Sequence, residues 1–303
     1  MTDFIEHSGF ISLVGRPNAG KSTLTNALVG AKVAITSDTA QTTRHRLRAV
    51  LNTPDAQLIF VDTPGLHKAH DALGEEVNRS TFKALEDTDV LALLIDASQP
   101  VGSGDKWIAG LLQQMGQHVP TILVLTKTDL VDSEALAQQR ALAARLGDFT
   151  RIIELSAKTG QNLTDFVAAA TALLPAGPRW FPADMQTDQP IEVMVAEFIR
   201  EKALRSTFDE VPHAVGVAVE ELTQDADHNL TRIQAVLYVE RESQKGIIVG
   251  KGGGTIKAIG SAARLDLEQL FGTRVYLDLR VKVRKNWRRD AAQIRRFGYG
   301  EAG

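Results

Sequence analysis

The stretch GRPNAGKS (15–22) decides the fold of the N-terminal half of this 303-residue chain. It matches the pattern G-x-x-x-x-G-K-[ST], with the strand-like run FISLV (10–14) before it and the helix-like run STLTNALVG (22–30) after it. Glycines permit the tight turn in which backbone amides point at a phosphate chain, and the following helix adds the positive end of its dipole. The pattern therefore predicts a phosphate-binding loop in which Lys21 reaches the terminal phosphates and the Ser22 hydroxyl binds Mg²⁺.

Apolar runs alternate with amphipathic segments from residue 10 to residue 174, which is typical of an α/β fold with a doubly wound, mostly parallel sheet. The strand-like runs are FISLV (10–14), LIFVD (58–62), VLALLID (90–96), TILVLTK (121–127) and RIIELS (151–156). Ligands of such sheets bind beyond the carboxyl ends of the strands. We therefore expect the functional residues of this domain, predicted at 8–174, to follow its strands.

The motif DTPG (62–65) follows the second of these strands. At that place Asp62 is suited to hold Mg²⁺ through water, and the Gly65 amide is suited to face a γ-phosphate. Forty-one residues after the lysine of the phosphate loop, DTPG is predicted to be a second phosphate-sensing element.

Two further motifs, TKTD (126–129) and SAK (156–158), predict the base that is bound. Asp129 can accept hydrogen bonds from N1 and the exocyclic amine of guanine, whereas adenine lacks that pair of donors and leaves the carboxylate unsatisfied. The stem of Lys127 can lie along the base, and the Ala157 amide can reach the guanine oxygen. Either motif alone occurs by chance, but their order and their placement at strand ends together predict guanine.

The stretch PAGPRWFPADMQTDQP (175–190) carries four prolines and is predicted to be a linker, because proline cannot continue a helix. A second domain is predicted at 191–303, with a helix near 191–207 and strands around 214–222 and 230–240. Two helical segments then flank the stretch IIVGKGGGTIKAIG (247–260), and the alternating strand RVYLDLRVKVR (274–284) follows.

The glycine cluster of this second domain lacks the four-residue spacer of a phosphate loop. It fits the G-x-x-G clamp of a type II KH domain, an α+β fold in which the clamp holds the backbone of about four nucleotides of single-stranded RNA. The predicted RNA-binding residues in and beside the clamp are Ile248, Val249, Gly250, Lys251, Gly252, Gly253, Ile256 and Lys257.

Charge is distributed unevenly along the chain. Residues 209–240 hold one basic and seven acidic side chains, whereas residues 241–296 hold 14 basic and five acidic ones. Such segregation favours a polyanionic partner, although ordinary solvated side chains are an equal alternative from charge alone. In the basic tail, Trp287 and Arg288 are predicted to contact RNA; the alternative for Trp287 is that its ring packs on the domain.

Composition excludes several kinds of structural and functional feature. The chain has no cysteine, which excludes disulfides, thiolate metal sites and cysteine nucleophiles and fits a reducing compartment. The first ten residues do not have the pattern of a signal peptide, and no apolar run reaches the ~18 residues of a membrane span.

These motifs together resemble the Era family of GTPases, over nearly the whole chain. The resemblance makes QTTRHR (41–46) the second GTPase element, with Thr43, rather than Thr42, joining Ser22 and Asp62 around Mg²⁺. It assigns catalysis to Lys21, Thr43 and Gly65. It also implies nucleotide contacts from Gly15, Arg16, Pro17, Asn18, Ala19, Gly20, Lys21, Ser22, Thr23, Asp62, Thr63, Pro64, Gly65, Leu66, Thr126, Lys127, Thr128, Asp129, Ser156, Ala157 and Lys158.

Two residues depart from the common GTPase pattern. Thr126 stands where asparagine is usual, and its hydroxyl is expected to replace part of what the amide does. Leu66 stands where small signalling GTPases place a glutamine that orients water, so slow intrinsic hydrolysis is expected. Asn18 resembles an asparagine that binds an activating K⁺ in related GTPases; a loop asparagine that caps a turn is an equal alternative.

The resemblance further implies a partner and a place in the cell. Era-like proteins bind small-subunit ribosomal RNA near its 3′ end, act in assembly of the 30S subunit, and occur in the cytoplasm and peripherally at the cytoplasmic face of the membrane; a monomer is expected. GTP is expected to order residues 33–45 and to be linked to RNA binding. The alternatives are another ribosome-assembly or tRNA-modifying GTPase, an ATPase with an RNA module, and a non-catalytic RNA adaptor.

Overall fold

The computed structural model of the protein describes residues 4–37, 39, 42–44, 46–66, 72–114 and 119–297. The chain forms two compact units. The first comprises residues 1–34, 43–68 and 77–188, and the second comprises residues 35–42, 69–76 and 189–303. Residues 35–42 therefore belong to the second unit, whereas the predicted boundaries place them in the first domain (8–174). We call this segment the excursion. The physical reason for its place is that Ile35 packs into the apolar core of the second unit.

The first unit is built on a six-stranded sheet. A short strand β1 (Phe4–Ile5) precedes β2 (His7–Gly15), β3 (Leu47–Asn52), β4 (Ala56–Asp62), β5 (Val90–Asp96), β6 (Thr121–Thr126) and β7 (Arg151–Glu154). The sheet order is β3-β4-β2-β5-β6-β7, with β3 antiparallel to β4 and the other neighbours parallel. The prediction of a mostly parallel sheet is confirmed.

Helices cover both faces of this sheet. They are α1 (Lys21–Val29), α2 (Ala72–Glu86), α3 (Ser103–Gln114), α4 (Ser133–Ala143) and α5 (Leu163–Thr171). Alternate residues of β5 point into two different cores: Ala92 packs in the core that includes α1 and α5, and Leu93 packs in the core that includes α3 and α4. Burial on both faces explains why the strands read as continuous apolar runs.

The proline-rich stretch packs within the first unit as far as residue 188. Its strand β8 (Gly177–Pro178) pairs antiparallel with β1. The side chain of Gln57, which is fully buried, accepts hydrogen bonds at Oε1 from the amides of Trp180 and Phe181 at 2.7 and 3.0 Å. These bonds satisfy backbone amides in a stretch whose prolines prevent regular structure.

The second unit is built on a three-stranded sheet. Its elements are α6 (Ile191–Arg205), α7 (Val211–Ala214), β9 (Gly216–Asp225), β10 (Leu230–Val239), α8 (Glu242–Val249), α9 (Gly254–Phe271), β11 (Arg274–Val283) and α10 (Ala291–Arg296). Helices α6, α8 and α9 contribute to the apolar core on one face of the sheet. The sheet order is β11-β10-β9, with β10 parallel to β11 and antiparallel to β9. This order of elements is the predicted type II KH fold. Within the described residues, every helix is too short or too polar to cross a membrane.

Candidate functional site

The loop between β2 and α1 has the backbone geometry that phosphate binding needs. Gly20 has a left-handed backbone with φ of 92°, which glycine adopts without steric cost. A Cβ at Gly15 would lie 2.5 Å from the carbonyl oxygen of Leu94 in the neighbouring strand, so glycine is required there by close packing. α1 begins at Lys21, which places its positive end at this loop.

Lys21, which is predicted to reach the terminal phosphates, is buried against the phosphate loop. Its Nζ donates hydrogen bonds to the carbonyl oxygens of Gly15 and Arg16 at 3.1 and 3.0 Å. Burial lowers the pKa of Lys21 from 10.5 to about 8, and the charge of Asp62 opposes that shift. An ammonium group held by two loop carbonyls in a dehydrated site is well placed to neutralise phosphate charge.

Three residues predicted to hold magnesium lie together beside Lys21. The hydroxyl oxygens of Ser22 and Thr43 are 2.8 Å apart. Asp62 is fully buried, and neither of its carboxylate oxygens has a hydrogen-bond partner within the part of the chain that the structure describes. Burial raises the pKa of Asp62 from 3.8 to about 6, against the opposing effects of the nearby Ser22 hydroxyl and of Lys21.

This set fits Mg²⁺, because two hydroxyls and an unsatisfied buried carboxylate are oxygen donors of the kind this ion takes. The geometry also favours Thr43 over Thr42, since the Thr42 hydroxyl donates instead to the Thr39 carbonyl oxygen at 2.6 Å. Gln41 and His45 of the predicted second element lie outside the described residues.

The DTPG segment lies directly against the phosphate loop. A Cβ at Gly65 would come within 2.6 Å of the Pro17 nitrogen, so the Gly65 backbone is in close contact with the loop. The Thr63 hydroxyl donates to the Leu13 carbonyl oxygen at 2.8 Å, and Pro64 is buried. Leu66 is 2% exposed and has no polar atom with which to orient water.

The base-recognition motifs meet at the ends of β6 and β7. The Ser156 hydroxyl donates to Asp129 Oδ1 at 2.6 Å, which orients the carboxylate that is predicted to bind guanine. The Thr126 hydroxyl donates to the Ala19 carbonyl oxygen at 2.8 Å. Threonine therefore ties this motif to the phosphate loop, as expected for a substitute for asparagine.

Sequence reasoning missed Asp96, the last residue of β5. Its Oδ2 lies 2.6 Å from Lys127 Nζ, and its Oδ1 accepts hydrogen bonds from the Ser98 amide and hydroxyl. Asp96 thus anchors the lysine whose stem is predicted to line the base. The signal was its place at the carboxyl end of a parallel strand.

The remaining predicted nucleotide residues lie around the same edge of the sheet. Arg16 is exposed and pairs with Asp105 at 3.3 Å. Asn18 is exposed and has a left-handed backbone with φ of 65°. Thr128 is buried, Ala157 is half-buried, and Thr23 and Lys158 are exposed.

The second predicted site, the glycine loop of residues 250–253, lies between α8 and α9 in the second unit. Gly250, Gly252 and Gly253 all have positive φ, at 70°, 60° and 78°. A Cβ at Gly250 would lie 2.2 Å from Thr255 Oγ1, whereas one at Gly252 or Gly253 would meet no described atom within 4 Å. The loop is therefore closely packed at Gly250 and open at Gly252 and Gly253. The side chain of Lys251 is exposed.

The apolar side chains around this clamp divide into core and surface. Ile248 is fully buried in the core of the second unit, so the prediction that it contacts RNA is wrong for this conformation. Ile247 is 50% exposed and offers the apolar surface instead. Val249 and Ile256 are half-buried, and Lys257 is exposed.

The prediction for Trp287 also needs correction. Its ring is fully buried, its Nε1 donates to the Ala214 carbonyl oxygen at 2.9 Å, and it packs edge-on against Phe297 with ring centroids 4.9 Å apart. Packing, not stacking on a base, is its role here. Arg288 is partly exposed and donates to Glu240 Oε2 at 2.8 Å.

These two sites define a class of protein: a guanine-nucleotide GTPase with a C-terminal KH domain. A family model described as 50S ribosome-binding GTPase matches residues 10–127, and the KH domain model matches residues 210–288. GTPase Era of Mycobacterium tuberculosis H37Rv is 48% identical over 305 residues, covering 99% of this chain and 100% of that protein. GTPase Era of Mycobacterium avium is 46% identical over 301 residues, with the same coverage. The chain belongs to the Era family of GTPases, and it is a GTP-hydrolysing enzyme.

Solved structures agree with this assignment over nearly the whole chain. Era in complex with MgGDPNP and nucleotides 1506–1542 of 16S ribosomal RNA superposes with a TM-score of 0.94 at 37% identity, covering 98% of this chain and 100% of that one. A variant of Aquifex aeolicus Era, bound to GDP and AlF₄⁻, gives a TM-score of 0.93 at 37% identity, covering 97% of this chain and 100% of that one.

Proposed function

We propose that this GTPase binds small-subunit ribosomal RNA near its 3′ end through the KH clamp and acts in assembly of the 30S subunit. The observation that carries the proposal is the glycine loop at 250–253, with three glycines of positive φ, open space at Gly252 and Gly253, and the exposed Lys251. Backbone amides in such a loop suit the sugar-phosphate chain of about four nucleotides. The similar Era structure that holds nucleotides 1506–1542 of 16S ribosomal RNA supports the choice of RNA.

For hydrolysis we propose that Ser22, Thr43 and Asp62 hold Mg²⁺ in the presence of GTP. When bound, Mg²⁺ would neutralise charge on the phosphates. Lys21, which donates to loop carbonyls at 3.0–3.1 Å, would exchange these partners for phosphate oxygens. The Gly65 amide would face the γ-phosphate. Because Leu66 is buried and apolar, we propose a slow intrinsic rate, with water oriented by a group other than this side chain.

We propose three further properties that the family resemblance implies. Asn18, exposed on the phosphate loop, is a candidate ligand for an activating K⁺. The protein acts as a monomer in the cytoplasm, with peripheral association to the cytoplasmic face of the membrane. GTP and RNA affinities are linked reciprocally, so that each ligand strengthens the binding of the other.

The substitution Gly252→Asp tests the clamp. It places a carboxylate at a position with open space above it, and aspartate tolerates the left-handed backbone better than most residues. We expect RNA affinity to fall at least about tenfold, because the carboxylate repels the phosphate chain. The measurement is fluorescence anisotropy with an RNA oligonucleotide of the 16S 3′ sequence, at fixed low salt and in the presence of a non-hydrolysable GTP analogue.

Gly272→Asp is the matched control. Gly272 also has a positive φ of 65° and open space around it, but it caps the far end of α9, about 27 Å away along an 18-residue helix. It should leave RNA affinity unchanged. Wild-type affinity in the Gly252→Asp protein would refute the clamp, and equal affinity for a scrambled RNA would refute the choice of ribosomal sequence. Competition of GTP binding by GTP but not by ATP excludes the ATPase alternative.

A further inference from the structure

Three described residues of the excursion, Ile35, Thr36 and Thr42, are held in the second unit by side-chain or backbone contacts. Ile35 is 4% exposed and packs in the same core as Phe198 and Ile199 of α6. Thr42, at the other end of the excursion, is 7% exposed. Two buried charged residues of α6 meet the chain at these two ends.

Glu201 of α6 holds the first part of the excursion. It is fully buried, and its Oε1 accepts a hydrogen bond from the Thr36 amide at 2.9 Å. Arg205, one turn further along the helix, donates to the Thr36 carbonyl oxygen at 2.9 Å and to Glu201 Oε1 at 3.1 Å. Both backbone polar groups of Thr36 are therefore held by charged side chains of α6.

Arg200 holds the end of the excursion. Its guanidinium is fully buried and donates through Nη2 to the Thr42 carbonyl oxygen. Glu197 orients it, with Arg200 Nε donating to Glu197 Oε1 at 2.7 Å and Nη2 to Oε2 at 2.5 Å. Burial of an arginine is costly unless its charge is paired and its donors are used. Here the donor Nη2 binds one backbone carbonyl oxygen of the excursion, that of Thr42.

That carbonyl belongs to the peptide bond that joins Thr42 to Thr43. Thr43 lies in the first unit, with its hydroxyl 2.8 Å from Ser22. A peptide group is planar, so a guanidinium that holds the Thr42 carbonyl also restricts the start of Thr43. We propose that Arg200, a residue of the KH unit, is a positioning residue for GTP hydrolysis that acts through Thr43, and that Arg205 supports it by holding Thr36 of the same segment. This inference rests on the proposed place of Thr43 in the magnesium shell.

The proposal has a signature that a purely structural role does not produce. Thr43 is proposed to hold Mg²⁺ when GTP is bound, and GDP lacks the γ-phosphate that distinguishes this state. We expect Arg200→Gln to lower the Mg²⁺-dependent affinity for a non-hydrolysable GTP analogue by about tenfold, since tenfold corresponds to about 1.4 kcal/mol, the size of one charge-assisted hydrogen bond. The single-turnover rate constant of GTP hydrolysis should also fall. GDP affinity should change less than about twofold, because the phosphate loop and base site are untouched.

Two companion variants guard against a failure to fold. Arg205→Gln removes both bonds of Arg205 to Thr36, and Arg205 has a side chain that is 52% exposed, so the second unit should tolerate it. It should show the same preferential loss of GTP-analogue affinity, at smaller size. Arg264→Gln is the matched control, because Arg264 is equally exposed and pairs with Glu268 on α9. It should change neither affinity.

The experiment is isothermal titration of each variant with the GTP analogue and with GDP, both with Mg²⁺, together with single-turnover hydrolysis. Thr43→Val is titrated alongside, and the Arg200→Gln/Thr43→Val double variant should be no weaker than Thr43→Val alone. A Thr43→Val protein that discriminates against the GTP analogue, beside Arg200→Gln and Arg205→Gln proteins that do not, overturns this inference and leaves the proposed function intact. Equal loss in Thr43→Val for both nucleotides overturns the magnesium role and this inference together.

Discussion

Asp62 gives a stability prediction that is unusual for a functional residue: the substitution Asp62→Asn should stabilise the nucleotide-free protein. The carboxylate is fully buried without a described hydrogen-bond partner, and burial raises its pKa from 3.8 to about 6. A carboxyl group whose pKa is raised by folding favours the folded state at low pH, and this contribution is lost as pH rises from about 4 through about 6. At pH 7.5 the charged group therefore works against folding.

The size of the effect follows from the two pKa values. A rise in pKa from 3.8 to about 6 corresponds to about 3 kcal/mol at pH 7.5 and to about 1.6 kcal/mol at pH 5, where the folded carboxyl is already mostly protonated. Asparagine is neutral throughout and removes this cost. Part of the gain is offset because Lys21 loses the charge that raises its pKa. We expect Asp62→Asn to gain about 1–3 kcal/mol at pH 7.5 and about half as much at pH 5.

The assay is urea unfolding followed by circular dichroism, without nucleotide and with EDTA, at both pH values. Asp55→Asn, on an exposed loop of the same unit, is the control and should change stability little. The same Asp62→Asn protein should lose Mg²⁺-dependent binding of GTP. A variant that is no more stable than wild type at pH 7.5, or that gains equally at both pH values, would refute the argument from burial.

Three further outcomes follow from the described contacts. Asp129→Asn should lower GTP affinity and raise that for xanthosine triphosphate, which competition binding measures; an unchanged preference for GTP contradicts the guanine assignment. Thr126→Val removes the bond to the Ala19 carbonyl oxygen and should weaken GDP and GTP alike by about tenfold, so a loss confined to GTP would contradict it. Trp287→Ala should destabilise the second unit by about 3–5 kcal/mol, seen by thermal unfolding, and should spare nucleotide affinity; a stable variant with weakened RNA binding would restore the stacking role.

Much of the nucleotide site is accessible to sequence reasoning, because its parts are local. A strand, a glycine turn and a helix position Lys21 and Ser22 within eight residues, and each following motif sits at a strand end. Carboxyl ends of parallel strands meet at one edge of a sheet, so the motifs converge without any knowledge of the packing. The same logic reached Asp129 and Ser156, whose side-chain oxygens are 2.6 Å apart, but passed over Asp96 because no motif named it.

The clamp and its surroundings show where this reasoning ends. The glycines at 250, 252 and 253 predict a backbone conformation that other residues adopt only with strain. The residue type by itself therefore indicates the conformation. The residue type does not indicate whether Ile248, Ile247 or Trp287 faces the solvent, since all three have large apolar side chains in stretches that contain both core and surface residues. The positions of α6, α8 and the C-terminal turn decided that Ile248 and Trp287 are buried.

Local patterns were thus enough to predict the two folds, the phosphate loop, the preference for guanine and the turn formed by the glycines at 250, 252 and 253, because each depends on residues close in the chain or on the common edge of a parallel sheet. Three-dimensional packing alone placed residues 35–42 in the second unit, buried Arg200 and Glu201 beside them, and left Asp62 without a described hydrogen-bond partner. The contacts of Arg200 and Glu201 join residues more than 150 positions apart in the chain. Burial and pairing of charges over such separations depend on how elements pack, which no local spacing of residues encodes.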